Sequence, residues 1–400
     1  MALKINGLGF TALLGGLSAL PALATDMALP SIGLVEADFG ASQAEAASAI
    51  AVFLAGFSTA PLAVGPLADR FGRKPVMLAG LALFTLSAIG CALAPSIAVL
   101  IVSRVAQGVG AGTVAVLPRA IIRDLFEGRQ ARLQLAAVSI VFSVAPLIGP
   151  TIGAGLLAVG PWRLIYATHA VVGATLGALA FARLDESHDA GKRRSLRPQT
   201  IVAGYRRALT NRMCGGFSLI VGLVFAGLFA YVNVSPLLFI AGYGVSAARF
   251  GGLFAMTASG VVLGSLINTW LVRRHASPRA VLDAALGAIA LAALTVLIAS
   301  VLDGRPPLVF VIAPVMVYIS AFGLVMPNAV HEAIHPLPDI AGVASAVLMS
   351  AQMLSGAIGG SLAASLYRGG SPLAIGVVMG AGALTAAAVY VVWLRPGVEA

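Results

Sequence analysis

Charged side chains are scarce in this chain of 400 residues, because Asp, Glu, Lys and Arg together make up only 10% of it. Hydrophobic residues reach 59% and the mean hydropathy is +0.98. A soluble domain has about 25% charged residues, so a water-soluble globular fold is excluded. Apolar stretches of about 18 to 25 residues recur along the chain, each long enough to cross a hydrocarbon core ~30 Å thick. The composition therefore predicts a helical protein that crosses a membrane many times.

Cysteine and nucleotide-binding patterns are nearly absent as well. The two cysteines, Cys91 and Cys214, fall near opposite ends of their predicted spans, so we expect no disulfide between them. No segment has the phosphate-binding pattern GxxxxGK[ST], which excludes ATP as the source of energy. The glycines at 108, 110 and 112 lie within an apolar run with no strand before them, so they do not indicate dinucleotide binding.

Turn residues and charges divide the apolar sequence into twelve predicted helical spans. The apolar runs are continuous rather than alternating, and backbone groups in lipid then require helices. The spans are predicted at residues 9–30, 46–66, 75–94, 97–119, 134–158, 162–182, 212–236, 249–271, 280–300, 307–329, 341–366 and 372–393.

The basic residues predict the orientation of these spans. With a cytoplasmic N-terminus, 20 of the 25 Lys and Arg residues fall on the inner side; Arg163, Arg249, Arg305 and Arg368 fall outside, and Arg104 lies within a span. We therefore expect both termini in the cytoplasm and a bacterial-type inner membrane. The net charge of +10 follows from this asymmetry and from contact with anionic lipid, so no nucleic acid partner is expected.

The first predicted span also resembles a cleavable signal peptide. Lys4, an apolar run and the small residues at 22–24 fit that pattern. The apolar sequence continues past this point to Pro30, which favours a retained first span over cleavage and an eleven-span protein.

The twelve spans fall into two groups of six. Residues 1–183 form the predicted N-terminal bundle, residues 184–211 a polar cytoplasmic linker, and residues 212–400 the C-terminal bundle. A weak internal similarity supports a repeat. Gly65 is followed by Asp69 four residues later, and 199 residues further on Gly264 is followed by Asn268 at the same spacing. Two related halves predict a substrate site near the middle of the membrane between them.

Residues 65–78, which are GPLADRFGRKPVML, concentrate charge and helix breakers between two apolar runs. Gly65 and Gly72 allow tight backbone geometry, while Arg70 and Arg73 anchor the predicted loop at the inner face. Asp69 is the exception in this basic loop, and an anion there would be stabilised by a positive helix end.

Several motifs resemble the major facilitator superfamily. Residues 65–74 resemble its signature G-x-L-x-D-R-x-G-R-[RK], and residues 104–111, RVAQGVGA, resemble its fourth-span motif R-x-x-Q-G. Residues 145–155, APLIGPTIGAG, are similar to the antiporter motif G-P-x-x-G-G, except that Ala154 separates the last two glycines. The segments TDMALP, RDLF, WR, PNA and AGVASA at 25–30, 123–126, 162–163, 327–329 and 341–346 resemble the Bcr/CflA group of twelve-span drug:proton antiporters.

The resemblance implies a fold and roles for two of these motifs. The fold would be all-α, with twelve transmembrane helices in two six-helix bundles. Asp69 would link the halves by meeting the start of span 11 near Gly342, as a gate; the alternative is a simple topology anchor. Span 5 would seal the outer side in an exporter, and its helix breakers favour a kinked, closely packed helix; the alternative is a purely structural kink. The residues of this kinked motif are Pro146, Gly149, Pro150 and Gly153.

Asp26 is the carboxylate placed most clearly inside a span. Ionisable groups at that depth are costly, which favours a functional role, and Arg104 in span 4 is its natural partner by depth. We expect a proton and the substrate to compete for this site, so that binding of one releases the other. The alternative is a permanent clamp between spans 1 and 4.

Polar side chains inside the spans are candidates for a substrate cavity. The resemblance implies a cavity bordered by spans 1, 4, 7 and 10, which selects Gln107, Tyr231, Asn233 and Tyr318 beside the coupling pair. Hydrogen bonding between helices is an equal alternative for each of them. A lining this apolar favours lipophilic compounds.

Residues 331–335, HEAIH, match the zinc-protease pattern HExxH. A catalytic zinc needs a third protein ligand, and Pro336 and Pro338 follow at once, so we expect a loop here and no metal site.

The sequence as a whole predicts a transporter rather than an enzyme. We expect a monomer that exports small lipophilic or amphipathic drugs by alternating access, driven by the proton gradient and without a cofactor. The alternatives are an exporter or importer of a specific metabolite and, from another class, an intramembrane zinc peptidase.

Overall fold

The computed structural model of this protein describes residues 7–188 and 198–398. In these residues the chain forms fourteen α-helices joined by short turns, and no β-strand. The helices are α1 (Leu8–Asp26), α2 (Ile32–Phe39), α3 (Gln43–Phe71), α4 (Arg73–Ala92), α5 (Ile97–Leu125), α6 (Gly128–Val159), α7 (Arg163–Arg183), α8 (Pro198–Thr210), α9 (Arg212–Pro236), α10 (Ala247–Arg273), α11 (Pro278–Asp303), α12 (Val309–Ile334), α13 (Ala341–Leu366) and α14 (Leu373–Val389). Short turns of 3₁₀ or π-helix follow α1, α9, α12 and α14.

These helices confirm the all-α membrane fold. Within the described residues, eleven helical stretches are long and apolar enough to cross a membrane. The twelfth by position is α6, whose apolar part is Val144–Val159. Helix boundaries agree with the predicted spans to within a few residues over most of the chain, because long apolar runs bounded by charge and Gly or Pro are a strong signal.

Several helices begin at polar residues that cap their free amide groups. Ser96, Ser246 and Ser277 each accept a hydrogen bond from the backbone amide three residues later, at the starts of α5, α10 and α11. Asn211 accepts from two amides at the start of α9. These side chains satisfy donors that the helix itself leaves free, and so they set where each helix begins.

The chain divides into two compact units. One contains Met1–Phe39 and Val52–Val202, and the other contains Gly40–Ala51 and Ala203–Ala400. The predicted linker 184–211 contains α8, and its residues 189–197 lie outside the described residues. The predicted domain limits stay a prediction.

The helix packing within each unit follows the same pattern. In the first unit α1 packs against α5, α6 and α7, and α4 packs against α5 and α7. In the second unit α9 packs against α12, α13 and α14, and α11 packs against α12 and α14. Each pairing recurs six spans later, as expected for two structural repeats.

Glycines bring helices into close contact at equivalent pairs. In the first unit Gly56 and Gly108 allow α3 and α5 to approach until each glycine meets the other helix's backbone. In the second unit Gly264 and Gly323 do the same for α10 and α12. A Cβ atom at any of these four positions would collide with a facing carbonyl group, so small residues determine these crossings.

Three sequence expectations are corrected by the fold. The predicted first span continues beyond residue 30, because α2 extends it to Phe39 after a break that follows Asp26. The predicted loop 65–78 is reduced to Gly72 between α3 and α4, and Gly65 lies inside α3 with no neighbour near its Cβ position. The predicted equivalence of Gly65 and Gly264 is therefore wrong in detail: Gly264 is tightly packed, Gly65 is not, and neither glycine begins a loop.

A different repeat is present at the turns that follow these helices. Gly72 after α3 has φ of 101°, and His275 after α10 has φ of 58°. Both turns use left-handed backbone geometry, which glycine adopts most easily, and this explains Gly72. Among the described residues, His275 is the one non-glycine residue with positive φ.

Candidate functional site

Asp26 is the last residue of α1 and is buried. The helix breaks just after it, because Pro30 follows in a short 3₁₀ turn at Leu29–Ser31. Within the described part of the chain, its carboxylate has no hydrogen bond and no ion pair. A carboxylate at this depth without a protein partner is the type of group that binds a proton or a substrate.

The predicted antiporter motif on α6 packs directly against this carboxylate. A Cβ atom on Gly149 would lie 2.8 Å from the Cβ of Asp26, and one on Gly153 would collide with the carbonyl oxygen of Met27. α6 is continuous through Pro146 and Pro150. The two glycines therefore leave room for the break in α1, a contact that the sequence alone did not reveal.

Arg104 is fully buried in α5 and contacts the same helix break. One guanidinium nitrogen, Nη1, donates 3.2 Å to the carbonyl oxygen of Ala24 and 2.8 Å to Oε1 of Gln107. The guanidinium also lies 4.3 Å from the ring centroid of Phe53 and 5.6 Å from that of Tyr166. Hydrogen bonds and cation–π contacts together make a buried cation tolerable.

The predicted proximity of Arg104 to the end of α1 is present, but the direct ion pair is not. Among the described residues, no nitrogen of Arg104 lies within the 4.0 Å of an ion pair with Asp26. Arg104 instead holds the carbonyl of Ala24, two residues before the carboxylate. Arg104 therefore contacts span 1 through the backbone rather than through Asp26, and both the coupling role of the two residues and the alternative of a permanent clamp stay predictions.

Further polar side chains of the same unit lie near Arg104. Gln107 accepts from Arg104 and, at 3.9 Å, from the Cys91 thiol. His169 on α7 packs edge-on against Tyr166, with ring centroids 5.7 Å apart. Neither nitrogen of the buried His169 ring, nor Nε2 of Gln107, has a hydrogen-bond partner among the described residues. Buried polar groups without partners are rare, which marks this polar cluster as a candidate binding region.

Tyr166 and Cys91 of this polar cluster were not predicted from the sequence. Tyr166 lies three residues before His169 on one face of α7, a spacing that could have revealed it. Cys91 gave no usable signal, since its contact with Gln107 depends on how α4 packs against α5.

The predicted cavity residues of the second unit are buried between helices. The Tyr231 hydroxyl bonds to Oγ1 of Thr257 at 2.8 Å, and the Tyr318 hydroxyl donates 2.7 Å to the carbonyl of Val224. These bonds link α9 to α10 and to α12. In this structure both tyrosines thus fit the alternative of hydrogen bonding between helices, and their substrate role stays a prediction.

Asn233 differs from these tyrosines. It is fully buried on α9, and neither atom of its amide group has a hydrogen-bond partner within the described residues. Gly360 of α13 leaves room for it, because a Cβ there would lie 2.5 Å from Nδ2. An unsatisfied buried amide costs about 1–3 kcal/mol, so Asn233 is the strongest candidate in the second unit for binding a polar group.

An aromatic cluster lies one to two turns before Asn233 on α9. The rings of Phe225 and Phe229 have centroids 4.7 Å apart, and Phe322 of α12 lies 5.7 Å from Phe225. Phe225 and Phe322 are buried, and aromatic rings of this kind commonly line the binding sites of lipophilic compounds.

The predicted gating segment forms a charged network at the turn between α3 and α4. Arg73 pairs with Asp69 at 2.6 Å and with Asp124, at the end of α5, at 3.0 Å. Arg70 lies outside this network and is exposed, with its guanidinium 5.6 Å from the Phe71 ring centroid. The gating role of the segment stays a prediction.

Glu186 completes this network, and sequence analysis did not identify it. Its carboxylate accepts hydrogen bonds from the backbone amides of Arg73 at 2.9 Å and Lys74 at 3.2 Å, and so caps the start of α4. The glycine is required by its positive φ, and a Cβ at this position would also displace the Glu186 carboxylate from the cap. Glu186 lies 113 residues along the chain from Arg73, which is why no local pattern indicated the cap.

The HExxH segment lies on a helix and not in the predicted loop. α12 continues to Ile334, and the amide of His335 still donates 2.9 Å to the carbonyl of His331. The two imidazole centroids are 5.5 Å apart. Within the described residues, however, no group of three potential metal ligands is present, so the three-ligand set of a zinc peptidase is not formed there.

Comparison with known proteins places these features in context. The family model described as Major Facilitator Superfamily matches residues 14–360. The chain is 29% identical over 358 residues to a bicyclomycin resistance protein homolog of Haemophilus influenzae, covering 89% of each chain. It is 29% identical over 333 residues to the multidrug resistance protein MdtL of Shewanella oneidensis, covering 83% of each. Its fold is similar to a partially occluded inward open structure of the Escherichia coli xylose transporter XylE, with a TM-score of 0.72, 16% identity and 97% of each chain covered.

Proposed function

Because the chain belongs to the major facilitator superfamily, we propose that it exports small lipophilic or amphipathic drugs across a bacterial inner membrane in exchange for protons. The names of two relatives, a bicyclomycin resistance protein homolog and a multidrug resistance protein, support drugs as the substrate class. Transporters of this architecture bind substrate near the middle of the membrane and expose the site alternately to each side.

The observation that carries the proton-coupled mechanism is the buried, unpartnered carboxylate of Asp26. An ionised Asp at the centre of a span costs about 2.5–3.5 kcal/mol, and a proton on the carboxylate removes much of that cost. A bound cation or hydrogen-bond donor on the substrate would do the same. Asp26 thus holds either a proton or the substrate. Protons are exchanged for substrate if the transporter can change from its inward-facing to its outward-facing state, and back, in each of these two forms.

Arg104 and the glycines of α6 position this carboxylate. Arg104 holds the carbonyl of Ala24, just before the break in α1, while Gly149 and Gly153 allow α6 to approach it. Arg104 is therefore a positioning residue in this proposal, and Asp26 is the residue that holds the proton.

The substrate side of the proposal rests on the second unit. The Phe225, Phe229 and Phe322 cluster provides apolar contact, and the unsatisfied amide of Asn233 provides one polar contact. Few polar groups in a largely apolar surface favour many lipophilic compounds over one hydrophilic metabolite. Lys and Arg residues are concentrated in the turns of one side of the predicted spans, which supports cytoplasmic termini.

Export from proteoliposomes tests the proposal. The purified protein is reconstituted, a pH gradient is imposed, and efflux is measured for a compound panel that includes bicyclomycin and lipophilic cations. We expect export that stops when a protonophore collapses the gradient. Asp26→Asn should abolish the dependence on the gradient, whereas the exposed control Asp303→Asn should leave it unchanged.

Three results would contradict the proposal. Export that persists without the gradient would exclude proton antiport, and gradient-driven export by Asp26→Asn would place the coupling group elsewhere. If no drug on the panel moves but a metabolite does, the substrate class is wrong and the chain is a metabolite transporter.

A further inference from the structure

Two exposed imidazoles lie one turn apart at the end of α12, outside the coupling site. His331 is in the last turn of the helix and His335 is its C-terminal cap residue. The backbone hydrogen bond between them, 2.9 Å long, keeps the helical spacing of four residues. Residues spaced in this way lie on the same face of a helix, and here their rings form a pair.

The separation of the two rings fits a shared metal ion. A zinc–imidazole nitrogen bond is ~2.0–2.1 Å long, so two imidazoles on one metal have ring centroids about 4.5–5.5 Å apart for ordinary bond angles. The observed centroid separation is 5.5 Å, with 37° between the ring planes. Little movement is therefore needed for the two rings to bind one ion.

We propose that His331 and His335 form a two-ligand chelate site for a divalent transition metal ion. Water would fill the remaining coordination positions, because no group of three potential protein ligands is present in the described residues. Imidazole is a suitable ligand for copper, nickel and zinc. We expect Cu²⁺ to bind most tightly, and Ni²⁺ and Zn²⁺ to bind less tightly than Cu²⁺.

This site differs from a peptidase centre in its chemistry. A catalytic zinc is held by three protein ligands and activates a water in the fourth position. Two exposed imidazoles hold a metal more weakly and in rapid exchange with solvent. The HExxH segment therefore supplies two metal ligands but, within the described residues, lacks the third protein ligand that a zinc peptidase requires.

Copper binding to the full-length protein, purified without a histidine tag, tests the inference. Cu²⁺ is titrated calorimetrically, and pulsed electron paramagnetic resonance counts the imidazoles on the bound ion. We expect one equivalent that is bound by two imidazoles, and more tightly than copper at any single imidazole of the protein; this is the tight equivalent. His331→Ala and His335→Ala should each weaken binding at least about tenfold and leave one imidazole, because the second ligand of a chelate acts at a high effective concentration.

His275→Ala is the matched control. His275 is an exposed lone imidazole in the turn after α10, and its removal should leave the tight equivalent unchanged. His331→Gln, which keeps a polar side chain of similar length, should repeat the result of His331→Ala if folding of the alanine variant is disturbed. Unchanged affinity in the His331 or His335 variants, one imidazole in the parent protein, or a third protein ligand on the ion would each overturn the proposal. None of these results depends on whether the protein exports drugs.

Discussion

At the scale of single residues, the environment of Asp26 depends on two glycines of α6, which have no side chain to keep the helices apart. Gly149 and Gly153 let α6 lie against the break in α1, and larger residues would push the two helices apart. The carboxylate is thus positioned by packing, while Arg104 holds the backbone beside it. A charge that must gain and lose a proton is better positioned by such contacts than by a permanent ion pair, which would favour its ionised form.

Gly149→Ala tests this packing. The added methyl group would lie 2.8 Å from the Cβ of Asp26, so we expect a destabilisation of about 1–3 kcal/mol and loss of most export. Gly155→Ala, on the same helix, has no atom within 4 Å of its Cβ position and should leave both unchanged. Thermal unfolding in detergent and efflux from proteoliposomes measure the two effects. Equal behaviour of the two variants would show that close packing at Gly149 is unimportant.

At the scale of helices, the start of α4 depends on a residue far along the chain. No nearby side chain caps this helix, and the carboxylate of Glu186, beyond the end of α7, bonds to its first two amides instead. Asp124 at the end of α5 and Asp69 near the end of α3 both pair with Arg73. The ends of three helices and the chain after α7 are therefore tied together at one turn.

Removing the Glu186 carboxylate should loosen the first turn of α4. We expect Glu186→Ala to cost about 0.5–2 kcal/mol, as for other helix caps. Hydrogen exchange should become faster at the amides of Arg73 and Lys74 but not in the middle of the helix. Asp185→Ala, at the exposed neighbouring position, is the control and should leave exchange unchanged. Slow exchange at both amides in Glu186→Ala would mean that the cap is not needed.

The two glycines of the 65–78 segment should respond differently to alanine. Gly72→Ala forces a side chain into φ of 101° and against Glu186, so we expect a loss of at least about 1–2 kcal/mol. Gly65→Ala is inside a helix with open space around it and should be neutral or stabilising by up to about 1 kcal/mol. Unfolding temperatures of the two variants check this, and a larger loss for Gly65→Ala would contradict it.

At the scale of the whole molecule, the charge asymmetry predicts how the protein lies in the membrane. Fluorescent protein fused to either terminus should fold and fluoresce, because both ends are expected in the cytoplasm. Alkaline phosphatase fused after Gly40, in the turn before α3, should be active, since that turn is expected outside. The same enzyme fused after Gly72 should be inactive. Activity after Gly72 would reverse the proposed orientation.

Much of the architecture could be predicted because membrane spans leave a local signal. A run of apolar residues of sufficient length, bounded by charge or by Gly and Pro, marks a helix wherever it packs, so most of the predicted spans match observed helices. The main errors were at helix breakers: Gly65 and Pro66 lie inside α3, and the helix also continues through His331 on α12. Packing against neighbouring helices satisfies the backbone at such positions, and this cannot be judged from the local sequence.

The sequence by itself determined the class of protein, the positions of its spans and its family, because composition and contiguous motifs carry that information. Only the tertiary structure decided the partners: Arg104 with the carbonyl of Ala24, Gly149 with Asp26, and Glu186 with the start of α4. Each of these contacts joins residues 80 or more positions apart. Such partners are selected by how helices pack in three dimensions, and a linear pattern does not record the facing side of a helix or the distance across it.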